Sequence, residues 1–136
     1  MAEAASGTCV ISIAPPSAFA SAAAEPSMAG ADLASTVTPG AAVEMDGSGP
    51  HIVALDTGIK LSIIRQFRER GCKVTLLPCD SGPEQVLGAE PDLVFLANGP
   101  GDPAAVDYVV QNVRECVGKV PVFGICMGHQ LLCRAI

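Results

Sequence analysis

Basic residues are missing from the first part of this sequence. All eight Lys and Arg lie at or after Lys60, and residues 1–59 carry acidic side chains alone. A secretory signal needs a basic start and a mitochondrial transit peptide needs arginine, so the sequence predicts neither. No apolar run reaches the roughly 18 residues that a membrane span requires. We therefore predict a cytoplasmic protein that has no membrane partner.

Metal-ligand patterns are also missing. The sequence has two histidines, and its six cysteines form no C-x-x-C pair. A structural zinc site needs paired ligands at short spacing, so we expect no metal. The net charge of −6 disfavours nucleic acid as a partner, because an acidic protein repels phosphate backbones. Without an export signal, the thiols are expected to be reduced, and most of them to be small core residues.

Residues 1–50 lack a regular apolar pattern and are rich in Ala, Ser, Gly and Pro. Five prolines interrupt any long helix. One short strand fits residues 9–13, and a helical turn fits residues 32–36. We interpret 1–50 as a low-complexity leader, or as the remnant of an N-terminal domain and linker. Residues 51–136 form the second predicted unit.

Strands and helices alternate after His51. Short apolar runs predict buried strands, and apolar residues at helical spacing predict helices. The predicted strands cover residues 51–56, 73–79, 93–97 and 120–125. The predicted helices cover residues 59–70, 83–88, 103–117 and 127–136. This alternation predicts an α/β fold with a partial doubly wound, mainly parallel sheet, whose ligands bind at the carboxyl ends of the strands.

The first chemical motif is G-x-C-x-G, over residues 124–128. It follows a predicted strand and opens a predicted helix, which is the context of a nucleophile elbow. The residues two before and two after the nucleophile come close together in such a turn, so they must be glycines. The helix N-terminus favours the thiolate of Cys126, and the N–H of Met127 points toward a developing oxyanion. The alternative is a buried cysteine before an ordinary helix.

The second motif is N-G-P-G-D-P, over residues 98–103. Two glycines around a proline make a stiff turn whose N–H groups are unhindered. Asp102 is suited to cap the following helix, and Pro103 suits its first turn. By itself this segment fits a plain strand-to-helix turn. Its position at the same predicted sheet edge as Cys126 favours one shared crevice.

Other candidates are weaker. His129 lies three residues after Cys126, where packing or binding support is favoured over the role of base. His51 begins a strand at the opposite sheet edge from Cys126. That strand ends at the same predicted sheet edge as Cys126, with Asp56, Thr57 and Gly58. These three residues fit either a wall of the crevice or a simple turn.

Both motifs resemble those of class I glutamine amidotransferases. GICMGHQ resembles the family's nucleophile motif, and NGPGDP resembles its oxyanion loop in the form found in carbamoyl-phosphate synthetase small subunits. LDTGIK, from Leu55, and GADLASTVT, from Gly30, resemble further segments of that subunit. The resemblance covers about residues 30–136 and implies the flavodoxin-like half of a glutaminase domain.

This resemblance implies glutamine hydrolysis to glutamate and ammonia through a thioester on Cys126. Gly99 and Met127 would stabilise the oxyanion, while Gly101 and Gln130 would hold glutamine. The implied partner is the synthetase large subunit, which uses ATP and bicarbonate to make carbamoyl phosphate for arginine and pyrimidine synthesis. No cofactor is implied for this chain.

The resemblance is incomplete, because the family's catalytic H-x-E motif lies downstream of the nucleophile and the sequence stops at Ile136. We therefore expect a C-terminally truncated fragment that is inactive alone, with an unpaired strand edge, uncovered apolar surface and marginal solubility. Two alternatives remain. One is a non-catalytic interaction module that keeps only the glutamine-binding crevice. The other is a different cysteine-elbow hydrolase, such as a peptidase.

Overall fold

The computed structural model describes residues 24–136, so the strand expected over residues 9–13 lies outside the described part. The strands are β1 (Val43–Met45), β2 (His51–Asp56), β3 (Lys73–Pro78), β4 (Leu93–Leu96) and β5 (Val122–Gly124). The helices are α1 (Ala34–Val37), α2 (Leu61–Glu69), α3 (Pro83–Gly88), α4 (Asp107–Cys116) and α5 (Met127–Ala135), with a 3₁₀ turn at Pro103–Ala105.

The sheet is mainly parallel, which confirms the predicted α/β fold class. Its strand order is β1-β3-β2-β4-β5, with β1 antiparallel to β3 at one edge. Strands β2, β3, β4 and β5 run parallel to one another. The chain leaves β2 for β3 on one side and then crosses to β4 on the other side. This reversal opens a crevice at the carboxyl ends of β2 and β4, where doubly wound sheets bind ligands.

Helices cover both faces of the sheet, so its inner strands are buried on both sides. On one face, α2 contributes Ile64 and Phe67, and the ring of Phe67 stands edge-on to Phe95 at 5.2 Å between centroids. The other face packs against α3, α4 and α5. Alternate residues of β2 point to opposite faces, with Val53 in one cluster and Ala54 in the other.

The structure adds details that the sequence pattern did not predict. Strand β1 pairs with β3 through residues 43–45, which lie before the predicted boundary at residue 50. The helix expected over residues 103–117 is interrupted at Val106, whose φ of −116° and ψ of 47° are not helical. The expected helical turn near Asp32 is present as α1. The division of the chain at residue 50 stays a prediction.

Strand β5 lies at the free edge of the sheet. Among residues 24–136 it pairs with β4 alone. Phe123 is 54% exposed and Ile125 is 39% exposed beside that edge. The expected strand edge with apolar surface is therefore confirmed for the described residues. None of the helices in this range combines the length and apolar character needed to cross a membrane.

Candidate active site

Cys126 lies in a sharp turn between β5 and α5. Its φ of 56° and ψ of −115° place a non-glycine residue where L-amino acids are rarely found. Its thiol is free and the residue is exposed. Cys126 is also the N-cap of α5, so its sulfur lies at the positive end of a helix. A strained, exposed cysteine at this position has the arrangement of a nucleophile elbow.

The glycines of the motif are required by close backbone contacts. A Cβ on Gly124 would lie 2.4 Å from the carbonyl carbon of Gly128. A Cβ on Gly128 would lie 2.0 Å from the carbonyl oxygen of Leu96. The first contact confirms that the residues two before and two after Cys126 approach each other. The second shows that the start of α5 presses directly on the end of β4.

Backbone hydrogen bonds tie the elbow to the second motif. The N–H of Ile125 donates to the oxygen of Leu96 at 3.2 Å, and the N–H of Gly128 donates to the oxygen of Ala97 at 3.0 Å. Ala97 directly precedes Asn98, the first residue of the N-G-P-G-D-P loop. The structure therefore brings the elbow and this loop to the same edge of the sheet.

The loop over residues 98–103 rests on the turn that follows β2. A Cβ on Gly99 would lie 1.8 Å from the carbonyl oxygen of Thr57, so only glycine fits there. The Thr57 hydroxyl donates to the oxygen of Ala97 at 2.9 Å. The Asn98 side chain donates to the oxygen of Gly58 and accepts from the N–H of Lys60. The Asp56–Gly58 segment is thus a wall that fixes the loop.

Several backbone N–H groups at this edge have no acceptor within residues 24–136, those of Gly101 and Cys126 included. Within residues 24–136, the N–H groups of Gly99 and Met127 have no hydrogen-bond acceptor. The side chain of Met127 is buried, whereas Gln130 is exposed on α5 and its N–H donates to the oxygen of Cys126. Unpaired N–H groups from two loops at one edge are able to stabilise a negatively charged oxygen.

Gly101 and Asp102 close the loop. Gly101 has a φ of +98°, which favours glycine. The Asp102 carboxylate caps the 3₁₀ turn by accepting from the N–H of Ala104 at 2.8 Å, as its position in the sequence predicted. It also accepts from the N–H of Gly30 at 2.8 Å. The Gly30 bond first and the Ala104 bond second lower the pKa of Asp102, because both stabilise the carboxylate.

Neither histidine is hydrogen-bonded to Cys126 in the described part of the chain. Nε2 of His51 lies 2.8 Å from the Thr75 hydroxyl. His51 is the first residue of β2, so it lies at the opposite end of the strands from Cys126. Nε2 of His129 lies 3.7 Å from the sulfur of Cys133, one turn along α5. In the described part of the chain, no three His, Cys, Asp or Glu side chains are grouped to hold a metal ion.

Sequence reasoning missed the residues behind the loop. The main-chain oxygen of Ala31 accepts from the N–H of Asp102 at 3.1 Å. The Tyr108 hydroxyl donates to the Asp32 carboxylate at 3.0 Å. Burial first, and then the neighbouring Cys79 and Asp32, raise the pKa of Tyr108 well above its usual range. No sequence pattern signals these contacts, since their partners are about 70 residues apart.

Comparison with known proteins gives a family match over most of the described chain. Residues 53–136 match the family model for "Glutamine amidotransferase class-I". This range contains both motifs and begins within β2.

Individual relatives carry a more specific name. The "Carbamoyl phosphate synthase small chain, chloroplastic" of Oryza sativa subsp. japonica is 56% identical over 63% of this chain and 19% of the relative. The "Carbamoyl phosphate synthase small chain" of Chlorobaculum tepidum is 48% identical over 83% of this chain and 32% of the relative. That of Clostridium perfringens is 48% identical over 74% and 29%. The chain thus spans a third or less of the length of these relatives.

Proposed function

We propose a function from the premise that this chain belongs to the class I glutamine amidotransferase family: it carries the nucleophile and oxyanion loop of a glutaminase, as in a carbamoyl-phosphate synthetase small subunit. The observation that carries this proposal is the hydrogen bond from Gly128 N–H to the oxygen of Ala97, which joins the two motifs. This bond supports a shared crevice, in which the sulfur of Cys126 and the N–H groups of Gly99 and Met127 would act together.

The reaction would proceed through a covalent intermediate on Cys126. The thiolate would form a bond to the side-chain carbonyl carbon of glutamine while the carbonyl π electrons move to oxygen. Collapse of this tetrahedral species would break the C–N bond, and the nitrogen would leave as ammonia after gaining a proton. Water would then add to the γ-glutamyl thioester, releasing glutamate and the thiol.

The oxyanion would be stabilised by the N–H groups of Gly99 and Met127. Such donors act strongly because they are already oriented before charge develops, and removing one typically slows an enzyme by about 10²–10³-fold. Gly101 and Gln130 would hold the substrate in this proposal. Support comes from the close contact between Gly99 and Thr57, which leaves the loop backbone little freedom.

The partner proposed for the ammonia is a carbamoyl-phosphate synthetase large subunit, which would consume ATP and bicarbonate. The basis is that the relatives are named as small chains. Use of the product for arginine and pyrimidine synthesis, as part of a ligase, belongs to the same proposal. The compartment stays a prediction: the residues favour the cytoplasm, whereas the rice relative is named as chloroplastic.

We expect the 136-residue polypeptide to turn over glutamine very slowly. Proton transfer requires a positioned base and acid, and both histidines are engaged away from the sulfur of Cys126. Ammonia release should therefore stay near background when it is measured with glutamine in excess. Glutamine-dependent release that disappears in Cys126→Ser would contradict this expectation.

The crevice itself is tested with a chloroketone in which a chloromethyl ketone replaces the side-chain amide of glutamine. The sulfur of Cys126 would displace chloride, forming a C–S bond, and mass spectrometry would follow the adduct. We expect the rate to saturate with reagent concentration and to fall when glutamine is added. Cys126→Ser should remove the adduct, and Cys133→Ser, at an exposed thiol on the same helix, should preserve it.

An alkylation rate that rises linearly with chloroketone concentration and does not change when glutamine is added would contradict a glutamine site. If the polypeptide nevertheless bound a synthetase large subunit, the non-catalytic interaction module would be the better interpretation.

A further inference from the structure

The segment of residues 30–38, which we call the brace, lies behind the proposed active site. It precedes β1 and includes α1. Sequence analysis assigned it to a leader or to the remnant of a preceding domain and linker, and the structure shows that Ala34 at its centre is fully buried. The brace contacts the loops that follow β2, β3 and β4, which lie at the same edge of the sheet as the elbow after β5.

One set of contacts joins the brace to the oxyanion loop, which covers residues 98–103. The Gly30 N–H donates to the Asp102 carboxylate at 2.8 Å, and the Asp102 N–H donates to the Ala31 oxygen at 3.1 Å. A Cβ on Gly101 would lie 2.9 Å from that same oxygen and 3.0 Å from the nitrogen of Leu33. The backbone of Gly101 is therefore held from behind by the backbone of the brace.

Two more contacts anchor the brace to the body of the protein. Asp32 accepts from the Tyr108 hydroxyl at 3.0 Å with one oxygen and from the Ser35 N–H at 3.0 Å with the other. The Thr38 hydroxyl accepts from the N–H of Cys79, directly after β3, at 2.8 Å. Both anchors join the brace to residues outside the 98–103 loop, so they fix the position of the brace and not the loop directly.

The turn after β2 completes the arrangement. A Cβ on Gly58 would lie 3.1 Å from the side chain of Val37 and 2.9 Å from the ring of Pro100. The brace, this turn and the oxyanion loop are thus packed so closely around Gly58 that no further side chain fits there. Such packing resists displacement, because close-packed interiors move between discrete arrangements rather than deforming smoothly.

From these contacts we infer that Asp32, Tyr108 and Asp102 are positioning residues, which use the brace to hold Gly99 and Gly101 in the geometry that binds glutamine. This inference rests on the proposed function. Its physical basis is that binding and attack depend on placement to within about 1 Å, and an error of that size costs up to about 10²-fold in rate. Detaching the brace should loosen the loop without altering the thiol.

Two variants detach the brace gently. Asp102→Asn keeps an oxygen for Ala104 N–H but presents an amide NH₂ to Gly30 N–H, so one bond is lost. Tyr108→Phe removes the hydroxyl that holds Asp32. The readout is the Cys126 alkylation rate with the glutamine chloroketone divided by the rate with iodoacetamide. We expect this ratio to fall about tenfold in both variants, with an unchanged iodoacetamide rate.

Glu115→Gln is the matched control, since it removes one carboxylate from the surface of α4, where it lies 3.7 Å from Lys119. Its ratio should equal that of the original chain. Faster amide hydrogen exchange across residues 98–103 in both brace variants would support the inference independently of glutamine. If the original chain reacts faster with the chloroketone than with iodoacetamide, and both brace variants keep the same ratio of rates, the brace inference is overturned while the proposed function stands. If the original chain shows no preference for the chloroketone, the proposed function fails and the inference fails with it.

Discussion

At the residue scale, Cys126 combines exposure with an unfavourable backbone conformation. Its φ of 56° and ψ of −115° are readily adopted by glycine, whose missing Cβ removes the steric conflict. Holding another residue in a sparsely populated region costs about 1–3 kcal/mol. The surrounding hydrogen bonds from Ile125 and Gly128 to the end of β4 keep the strained turn in place. The strain and the exposure of this residue therefore have the same structural origin, the sharp turn between β5 and α5.

This origin predicts that Cys126→Gly stabilises the protein. We expect the free energy of unfolding to rise by about 1 kcal/mol, because relief of strain exceeds the entropy that glycine loses on folding. Cys133→Gly is the control within the same helix and should lower it by about 0.3 kcal/mol or more, because glycine is the poorer helix former. Urea unfolding of both variants measures the two changes, and changes of the same sign would count against strain at Cys126.

Gly128 offers a second test at this scale. A methyl group there would meet the oxygen of Leu96 at 2.0 Å, so Gly128→Ala must push α5 away from β4. Overpacking of this kind costs about 1–3 kcal/mol or more. Gly88→Ala is the comparison, because a Cβ at Gly88 meets nothing within 4 Å. Thermal unfolding should show a large drop for the first variant and little change for the second, whereas equal effects would contradict the contact.

At the scale of elements, the attachment of the brace to the oxyanion loop depends on the negative charge of Asp102. The pKa of Asp102 lies below its ordinary value of 3.8, chiefly because Gly30 N–H donates to the carboxylate. A depressed pKa contributes stability that is fully present above 3.8 and is lost as the pH falls through the folded value. Acid should therefore release the brace by protonating Asp102.

Urea midpoints measured from neutral pH down to about pH 2 test this. We expect the original chain to lose stability more steeply than Asp102→Asn once the pH drops below 3.8. Glu115→Gln should follow the original chain. Parallel curves for the original chain and Asp102→Asn would show that the Asp102 carboxylate does not hold the brace.

The elements that sequence patterns predicted well are those with a strong local signal. Strand β2 was predicted at its observed bounds, since it is a continuous apolar run ended by Asp56. The elbow glycines were predicted because their steric reason is local. Strand β1 was missed, as its three residues are mostly exposed and gain order only by pairing with β3. The resemblance singled out residues 30–38, but the contacts of the brace were not predicted, because its hydrogen bonds join Gly30 and Asp32 to residues more than 70 positions away.

At the scale of the whole molecule, the two edges of the sheet differ. One edge carries the short antiparallel strand β1, and the other carries β5 with Phe123 exposed beside Phe95, at 6.1 Å between ring centroids. Phe123, Ile125 and α2 side chains line an open apolar groove of about 340 Å³. Exposed strand edges of this kind promote association between chains.

Phe123→Ser should therefore reduce self-association of the 136-residue polypeptide. Leu61→Ser is the control, since Leu61 is 78% exposed and lies on α2 beside β1, at the opposite side of the sheet from β5. Sedimentation velocity at increasing concentration should show less oligomer for Phe123→Ser than for Leu61→Ser. Equal sedimentation of the two variants would mean that apolar exposure in general, and not the β5 edge, drives association.

The claim that Cys126 and the oxyanion loop share one glutamine crevice is tested most directly by the amide resonances of Gly99 and Met127. A nitrogen-labelled chain would be compared before and after Cys126 reacts with the glutamine chloroketone. We predict that both amide protons move downfield, because the ketone oxygen of the adduct accepts from both N–H groups, and that iodoacetamide leaves Gly99 unmoved. A Gly99 resonance that stays in place after complete reaction with the chloroketone would contradict the account.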